Sequence, residues 1–131
     1  MNKQSIVTIL LIMFVSMFSA NTFAYDIAVQ NADGVTIYYN YINEGKELEV
    51  TYRFYPSNSD YDFYRDRVVI PDEVSYMNRN RKVTSIGTRA FWNCKWLTSI
   101  TISKYITSIS DDAFQCCSGL TSIFVEEGNS V

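Results

Sequence analysis

Two consecutive 23-residue stretches, Val83–Tyr105 and Ile106–Gly128, align without a gap and are identical at ten positions. The shared residues are Thr84/Thr107, Ser85/Ser108, Ile86/Ile109, Ala90/Ala113, Phe91/Phe114, Cys94/Cys117, Leu97/Leu120, Thr98/Thr121, Ser99/Ser122 and Ile100/Ile123. Two stretches of ordinary composition would agree at about one or two positions by chance. Val83/Ile106 and Ile102/Val125 keep the apolar class as well. A unit this short cannot bury its own apolar side chains. Successive units must therefore stack, each covering the one before.

The pattern inside each unit says how. Leu97-Thr98-Ser99-Ile100-Thr101-Ile102 alternates, so Ile100 and Ile102 point inward from a short strand. Val83–Ile86 predicts a second extended stretch on the opposite side. Ala90-Phe91 fits a turn or a single helical turn, the alanine leaving room for the phenylalanine at the centre. In the second unit Asp111-Asp112 precede Ala113-Phe114, where carboxylates suit the unpaired N–H groups of a starting turn. A calcium site there would need more oxygen ligands at defined spacing.

The N-terminal half has strand signals of a different kind. Tyr25–Gln30 and Val35–Ile42 are separated by the turn residues Asn31-Ala32-Asp33-Gly34. After Glu44-Gly45, Leu48, Val50, Tyr52 and Phe54 alternate with Glu47, Glu49, Thr51 and Arg53, as in a half-buried strand. Ten of the 20 aromatic residues lie between Tyr25 and Tyr64. Their area predicts an antiparallel β cap, Tyr25–Ile70, sealing the open end of the first repeat. Val68-Val69-Ile70-Pro71 reads as a degenerate copy of Ile100-Thr101-Ile102-Ser103.

The first residues predict export. Lys3 is the only charge before Asp26, Ile6–Phe18 is a 13-residue mostly apolar run, and Thr22-Phe23-Ala24 places small residues at positions −3 and −1. This is the pattern of a cleaved signal peptide, and the run falls short of the roughly 20 residues that cross a bilayer. No cysteine precedes Cys94, so lipid attachment to a cysteine at the cleavage point is excluded. The expected order is a signal peptide over 1–24, a β cap with a degenerate first repeat over 25–82, repeats over 83–105 and 106–128, and a truncated end at 129–131.

Composition narrows the chemistry. The cleaved chain would hold 107 residues with 10 basic and 14 acidic side chains, a net charge of −4, which argues against duplex nucleic acid. The nearest basic cluster, Arg79, Arg81 and Lys82, reads as a solvated loop. The absence of histidine removes the commonest general base and the commonest transition-metal ligand. Asp60, Asp62 and Asp66 cluster without a partner acid or metal set. Export permits disulfides, and Cys94 and Cys117 sit one repeat apart, about 5 Å on adjacent units. Equivalent positions point the same way, however, so buried thiols at Cys94, Cys116 and Cys117 are favoured over a bridge. A metal site from these cysteines lacks a fourth ligand. No catalytic residue, cofactor or metal is expected.

Val83-Thr84-Ser85-Ile86-Gly87, Ala90-Phe91 and Cys94-x-x-Leu97-Thr98-Ser99-Ile100-Thr101-Ile102, with their copies, resemble the BspA-like leucine-rich repeats of bacterial surface proteins. Tyr25-Asp26-Ile27, Asp33-Gly34 and Ile37-Tyr38-Tyr39-Asn40 resemble the strand-rich head that often precedes such repeats. The resemblance implies a leucine-rich-repeat solenoid, a short parallel β stack with turns or short helices, preceded by an antiparallel β N-terminal cap. It further implies a secreted or cell-surface, non-enzymatic protein for protein–protein or cell-surface interaction, with adhesion as the associated role and no membrane span after signal removal. The family pattern often has proline where Ser103 and Glu126 stand. Members usually carry many repeats, whereas this chain stops three residues past its second unit, so a truncated member is expected.

Alternation assigns the outward positions of the two main strands to Ser99, Thr101, Ser103, Ser122, Phe124 and Glu126. These six form the candidate partner face. Phe124, or an uncapped last coil, also suggests self-association by edge pairing. Two alternatives stay open: a carbohydrate-binding module using Tyr38, Tyr39, Tyr41, Tyr61 and Tyr64, and a non-functional fragment of a longer repeat protein. N-terminal sequencing of the exported protein is expected to begin at Tyr25; retention of Met1 would refute cleavage.

Overall fold

The computed structural model describes residues 24–53 and 64–131. The expected signal segment up to Phe23 lies outside the described residues, as do Phe54, Asp60, Tyr61 and Asp62. The described strands are β1 (Ile27–Gln30), β2 (Thr36–Ile42), β3 (Glu47–Thr51), β4 (Asp66–Val69), β5 (Glu73–Tyr76), β6 (Arg79–Ile86), β7 (Leu97–Ile102), β8 (Ser108–Ile109) and β9 (Ser122–Val125). Turns join them, with no helix among the described residues; Ala90-Phe91 lies in such a turn.

Two sheets arise because the chain returns to the same place every 23 residues. In one sheet β6 pairs in parallel with β8, Ser85 opposite Ser108 and Ile86 opposite Ile109. In the other, β7 pairs in parallel with β9, Ile100 opposite Ile123 and Thr101 opposite Phe124. A tier is thus one strand from each sheet: β6 with β7, then β8 with β9. A further tier precedes them. β3 pairs in parallel with β6, Leu48 opposite Val83 and Val50 opposite Ile86. β4 pairs in parallel with β7, Val68 opposite Ile100 and Val69 opposite Thr101.

The expectation that all of Tyr25–Ile70 is antiparallel is therefore corrected. Within Tyr25–Ile70 only the β1–β2 and β2–β3 pairings are antiparallel; β3 and β4 pair in parallel with β6 and β7. Alternation in Glu47–Thr51 announces a half-buried strand but carries no direction; stacking on β6 sets it. The basic cluster is corrected too: Arg79, Arg81 and Lys82 lie on β6, where β5 forms a hairpin with its first half. Met77 and Asn78 turn that hairpin at φ 49° and 58°, the left-handed pair that a two-residue connection requires.

The repeated threonines are explained by contacts between tiers. The Thr107 N–H and hydroxyl both donate to the Thr84 carbonyl, at 2.9 and 3.3 Å. Thr121 does the same to the Thr98 carbonyl, at 3.0 and 3.2 Å. One tier earlier, the Thr98 hydroxyl donates to the Asp66 carbonyl at 2.9 Å. Backbones approach closely elsewhere as well: a Cβ on Gly119 would meet the Lys95 carbonyl oxygen at 2.2 Å.

An aromatic column runs up the interior. Phe91 and Phe114 stack at 5.1 Å with planes 4° apart, and Tyr64 lies 4.7 Å from Phe91 on the other side. Tyr38 meets Tyr64 edge-on at 6.2 Å. Ala90 and Ala113 are buried beside the rings. The Tyr64 hydroxyl accepts from the Tyr38 N–H and donates to the Thr51 carbonyl, both at 3.1 Å. Tyr64 thus joins β2 and β3 to the tiers. Burial pushes the hydroxyls of Tyr64 and Tyr39 well above the usual tyrosine range, and raises Tyr38 by the same cause. Leu97 is fully buried, while Leu120, at the equivalent place in the last tier, is half-buried.

These raised values set a direction for alkaline stability. Ionisation is disfavoured in the fold, so the stabilisation is complete below about pH 10, where unfolded tyrosine titrates, and is lost as pH rises further. Tyr64→Phe strands the Tyr38 N–H and the Thr51 carbonyl, which costs about 1–3 kcal/mol. Thermal melts at neutral pH should show that loss. Melts through alkaline pH should then fall less steeply for the variant than for the parent.

Candidate functional site

The outer face of the β4-β7-β9 sheet carries two cross-strand rows. Arg67, Ser99 and Ser122 lie in register in one, and Val69, Thr101 and Phe124 in the other. Their inward neighbours Val68 and Ile100 are fully buried, so pleating turns both rows outward. Ser99, Thr101 and Ser122 are half-buried by their neighbours, and Phe124 is 60% exposed. Arg67 and Val69 were missed as face residues. The signal that finds them is the likeness of Val68–Pro71 to Ile100–Ser103, followed through its own alternation.

Ser103 does not belong to this face: it is fully buried. Strand alternation ends at Ile102, and the chain turns inward, the Ile106 N–H donating to the Ser103 carbonyl at 3.2 Å. Asn129 closes that corner, its side-chain amide donating to the Ser103 and Ile106 carbonyls at 2.6 and 3.1 Å. The Ser103 hydroxyl is buried without a hydrogen-bond partner among the described residues. Glu126 is half-buried at the rim, and its carboxylate accepts from the Lys104 backbone N–H at 3.2 Å.

The opposite sheet is polar but tied internally. Ser108 donates to Ser85 and Ser85 to the Glu49 carboxylate, each at 3.0 Å, while Thr84 donates to Glu47 at 3.2 Å. Gly87 leaves space for Glu49, whose carboxylate a Cβ there would meet at 2.6 Å. Asp112 does not cap a turn with its side chain; it accepts from Arg89 Nε at 3.3 Å, across tiers.

The tyrosine platform is largely interior. Tyr38, Tyr39 and Tyr64 are buried, and Tyr61 lies outside the described residues. Tyr41 is 36% exposed, with the Arg81 guanidinium 4.8 Å from its ring centre and Arg81 Nε donating to the Gly45 carbonyl at 2.7 Å. Of the aspartate cluster, Asp66 is exposed at the start of β4. Among the described residues no three of Cys, Asp and Glu gather in a way that could hold a metal ion. No helix among them is long and apolar enough to cross a membrane.

All three cysteines are thiols, but they are not all buried: Cys94 is buried, Cys117 half-buried and Cys116 exposed. Cys116 takes a left-handed turn conformation at φ 63°, and the turn directs it outward. The Cys117 thiol donates to the Phe91 carbonyl at 2.9 Å, and burial raises its ionisation above the ordinary thiol range.

Comparison with known proteins places the repeats. Residues 71–131 match the BspA type leucine rich repeat region, in six copies. The structure is similar to a leucine-rich repeat protein from Bacteroides ovatus, at 30% identity and a TM-score of 0.62, covering 80% of this chain and 24% of that one. It is similar in fold to a leucine rich cell surface protein from Faecalibacterium prausnitzii, at 23% identity and a TM-score of 0.57, covering 79% of this chain and 24% of that one. A leucine-rich repeat protein from Bacteroides capillosus matches at 25% identity and a TM-score of 0.53, covering 78% and 67% of the two chains. The chain thus spans about a quarter of the length of the first two. A search of curated proteins finds no match.

The thiol environments predict a labelling order. In the native protein a thiol reagent should modify Cys116 rapidly and Cys94 and Cys117 slowly, because exposure and thiolate fraction control the rate. In denaturant all three should react; a single reactive thiol would reveal a bridge.

Proposed function

We propose that this chain, whose residues 71–131 are a BspA-type leucine-rich repeat region, is an exported, non-catalytic binding protein. It works by rigid display. A short solenoid, closed at its first tier by β1 and β2, holds the outer face of β4, β7 and β9 toward a protein on a cell surface or in the surrounding matrix. The observation that carries this reading is the Val69–Thr101–Phe124 row on a parallel sheet, ending in an exposed aromatic ring. Arg67, Ser99 and Ser122 run beside it and supply hydrogen-bond donors. Aromatic anchors surrounded by small polar groups are where binding energy concentrates in protein interfaces.

Export is supported by the N-terminal charge and hydropathy pattern. A surface location is supported by the Faecalibacterium prausnitzii relative, itself a cell surface protein. Carbohydrate binding through the β1–β3 region is less favoured, because three of its five proposed rings are buried. The domain order proposed is a signal peptide, then a β-rich N-terminal part containing the first tier, then the two recognisable repeats.

A pull-down from extracellular matrix and neighbouring cells with the purified chain tests this function, with Phe124→Ser as the control. The substitution should leave the melting temperature nearly unchanged, since the ring is exposed, and reduce capture of any specific partner by roughly tenfold or more. Equal capture by both proteins would show that the face is not the binding surface.

A further inference from the structure

The first tier turns its corner differently from the next one. Between β7 and β8 the chain passes directly, the Ile106 N–H bonding back to the Ser103 carbonyl. After β4 the matching closure, from the Val83 N–H to the Asp72 carbonyl at 3.0 Å, carries the β5–β6 hairpin, residues 73–82. Stacking of tiers does not require this hairpin. Pairing of Val74 with Arg81 and of Tyr76 with Arg79 puts these four side chains on one of its faces. Val74 and Tyr76 pack against the core, while Arg81 reaches past its edge to the turn between β2 and β3. Glu44, Gly45 and Lys46 of that turn and Arg79, Asn80 and Arg81 of the hairpin line an open cleft of about 490 Å³.

The fold does not balance the charge of this cleft. Arg81 is held in place, Nε donating to the Gly45 carbonyl at 2.7 Å and the guanidinium lying 4.8 Å from the Tyr41 ring centre. Neither contact is a carboxylate, and its Nη1 is buried with no hydrogen-bond partner among the described residues. Arg79 is exposed and forms no ion pair among them. Lys46 pairs with Glu44 at 3.2 Å, but both are more than three-quarters exposed, where such a pair is weak. Three cations thus face one carboxylate, an excess of two positive charges. Glu47, next along the chain, is occupied by hydrogen bonds from Asn43 and Thr84.

We infer that this cleft binds a dianionic oxyanion group, phosphate or sulfate. Arg81 supplies a fixed, partly buried charge, which salt screens less than an exposed one. Arg79 and Lys46 supply donors from the hairpin and from the turn, and the planar fork of arginine matches the oxygens of such a group. One oxyanion leaves much of the 490 Å³ unfilled, a volume in the range of small-molecule sites. The remaining space takes the molecule that carries the group. The cleft belongs to the sheet opposite the Phe124 face, so it stands or falls apart from the role proposed for that face.

The test is an NMR titration of the full chain at constant ionic strength with inorganic phosphate, inorganic sulfate and glycerol 2-phosphate, and with acetate as a monoanion. At least one dianion should give saturable shifts at the amides of 44–46 and 79–81 and at the Arg81 Nε–H, with a dissociation constant of about 1 mM or tighter. Acetate should bind more weakly. Tighter binding of glycerol 2-phosphate than of inorganic phosphate identifies a carried group as the ligand; equal binding identifies the free ion. Arg79→Gln should leave the melting temperature unchanged and weaken binding about tenfold. Arg81→Lys keeps the charge but loses the fork, and should weaken it about three- to tenfold. Lys95→Gln, at an exposed cation outside the cleft, should change nothing. Shifts that fail to saturate, equal affinity for acetate and the dianions, undiminished binding by Arg79→Gln, or an equal loss in Lys95→Gln would overturn the inference.

Discussion

Tiers of this fold complete one another's interiors with side chains from adjacent tiers, and that mutual burial is the constraint on which the rest depends. Ile100 is sealed only because Val68 and Ile123 lie in register on either side of it. Phe91 is sealed only because Tyr64 and Phe114 sandwich it. A single unit has too few apolar contacts to offset the entropy of ordering its backbone. The fall in burial from β7 to β9 shows the same constraint from its unsatisfied side. It also explains why the most exposed apolar strand in the described structure is the outermost one.

The polar residues follow the same geometry. Parallel stacking puts identical residues beside one another, so a residue that can bond to its own copy is favoured at each position. Threonine does this through its hydroxyl onto the preceding carbonyl, and serine does it from Ser108 to Ser85. At the first tier the series ends on different chemistry: Glu49 receives the serine ladder and the Asp66 carbonyl receives the threonine. The β1–β2 meander is then attached through Tyr64, whose hydroxyl spans two backbone groups. The large apolar side chains left exposed beside this pairing include Ile123, Phe124 and Val125 on β9.

Much of this was legible beforehand, and for a physical reason. The ten residues shared by the two repeats are mostly those that touch their own copies, so sequence identity and tier contact report the same thing. The first tier was harder to see because its resemblance lies in pattern and not in identity. Tyr64 fills the column where the repeats have phenylalanine, and Leu48 and Val50 signal a strand without revealing that it runs parallel to β6. Ser103 was misplaced because alternation was extended one residue beyond the strand that generates it. Cys116 was misplaced because a left-handed turn residue obeys neither strand nor helix periodicity. Of the candidate face, Ser99, Thr101, Ser122 and Phe124 came from alternation within recognised strands; Arg67 and Val69 needed the first tier.

The central claim is that tiers 23 residues apart lie in register with their rings in one column. The most direct measurement is solution NMR on protein with selectively labelled phenylalanine and tyrosine rings. Stacking predicts nuclear Overhauser contacts from Phe91 to both Phe114 and Tyr64, at ring separations of 5.1 and 4.7 Å. Well-dispersed ring signals with no contact between Phe91 and Phe114 would contradict it.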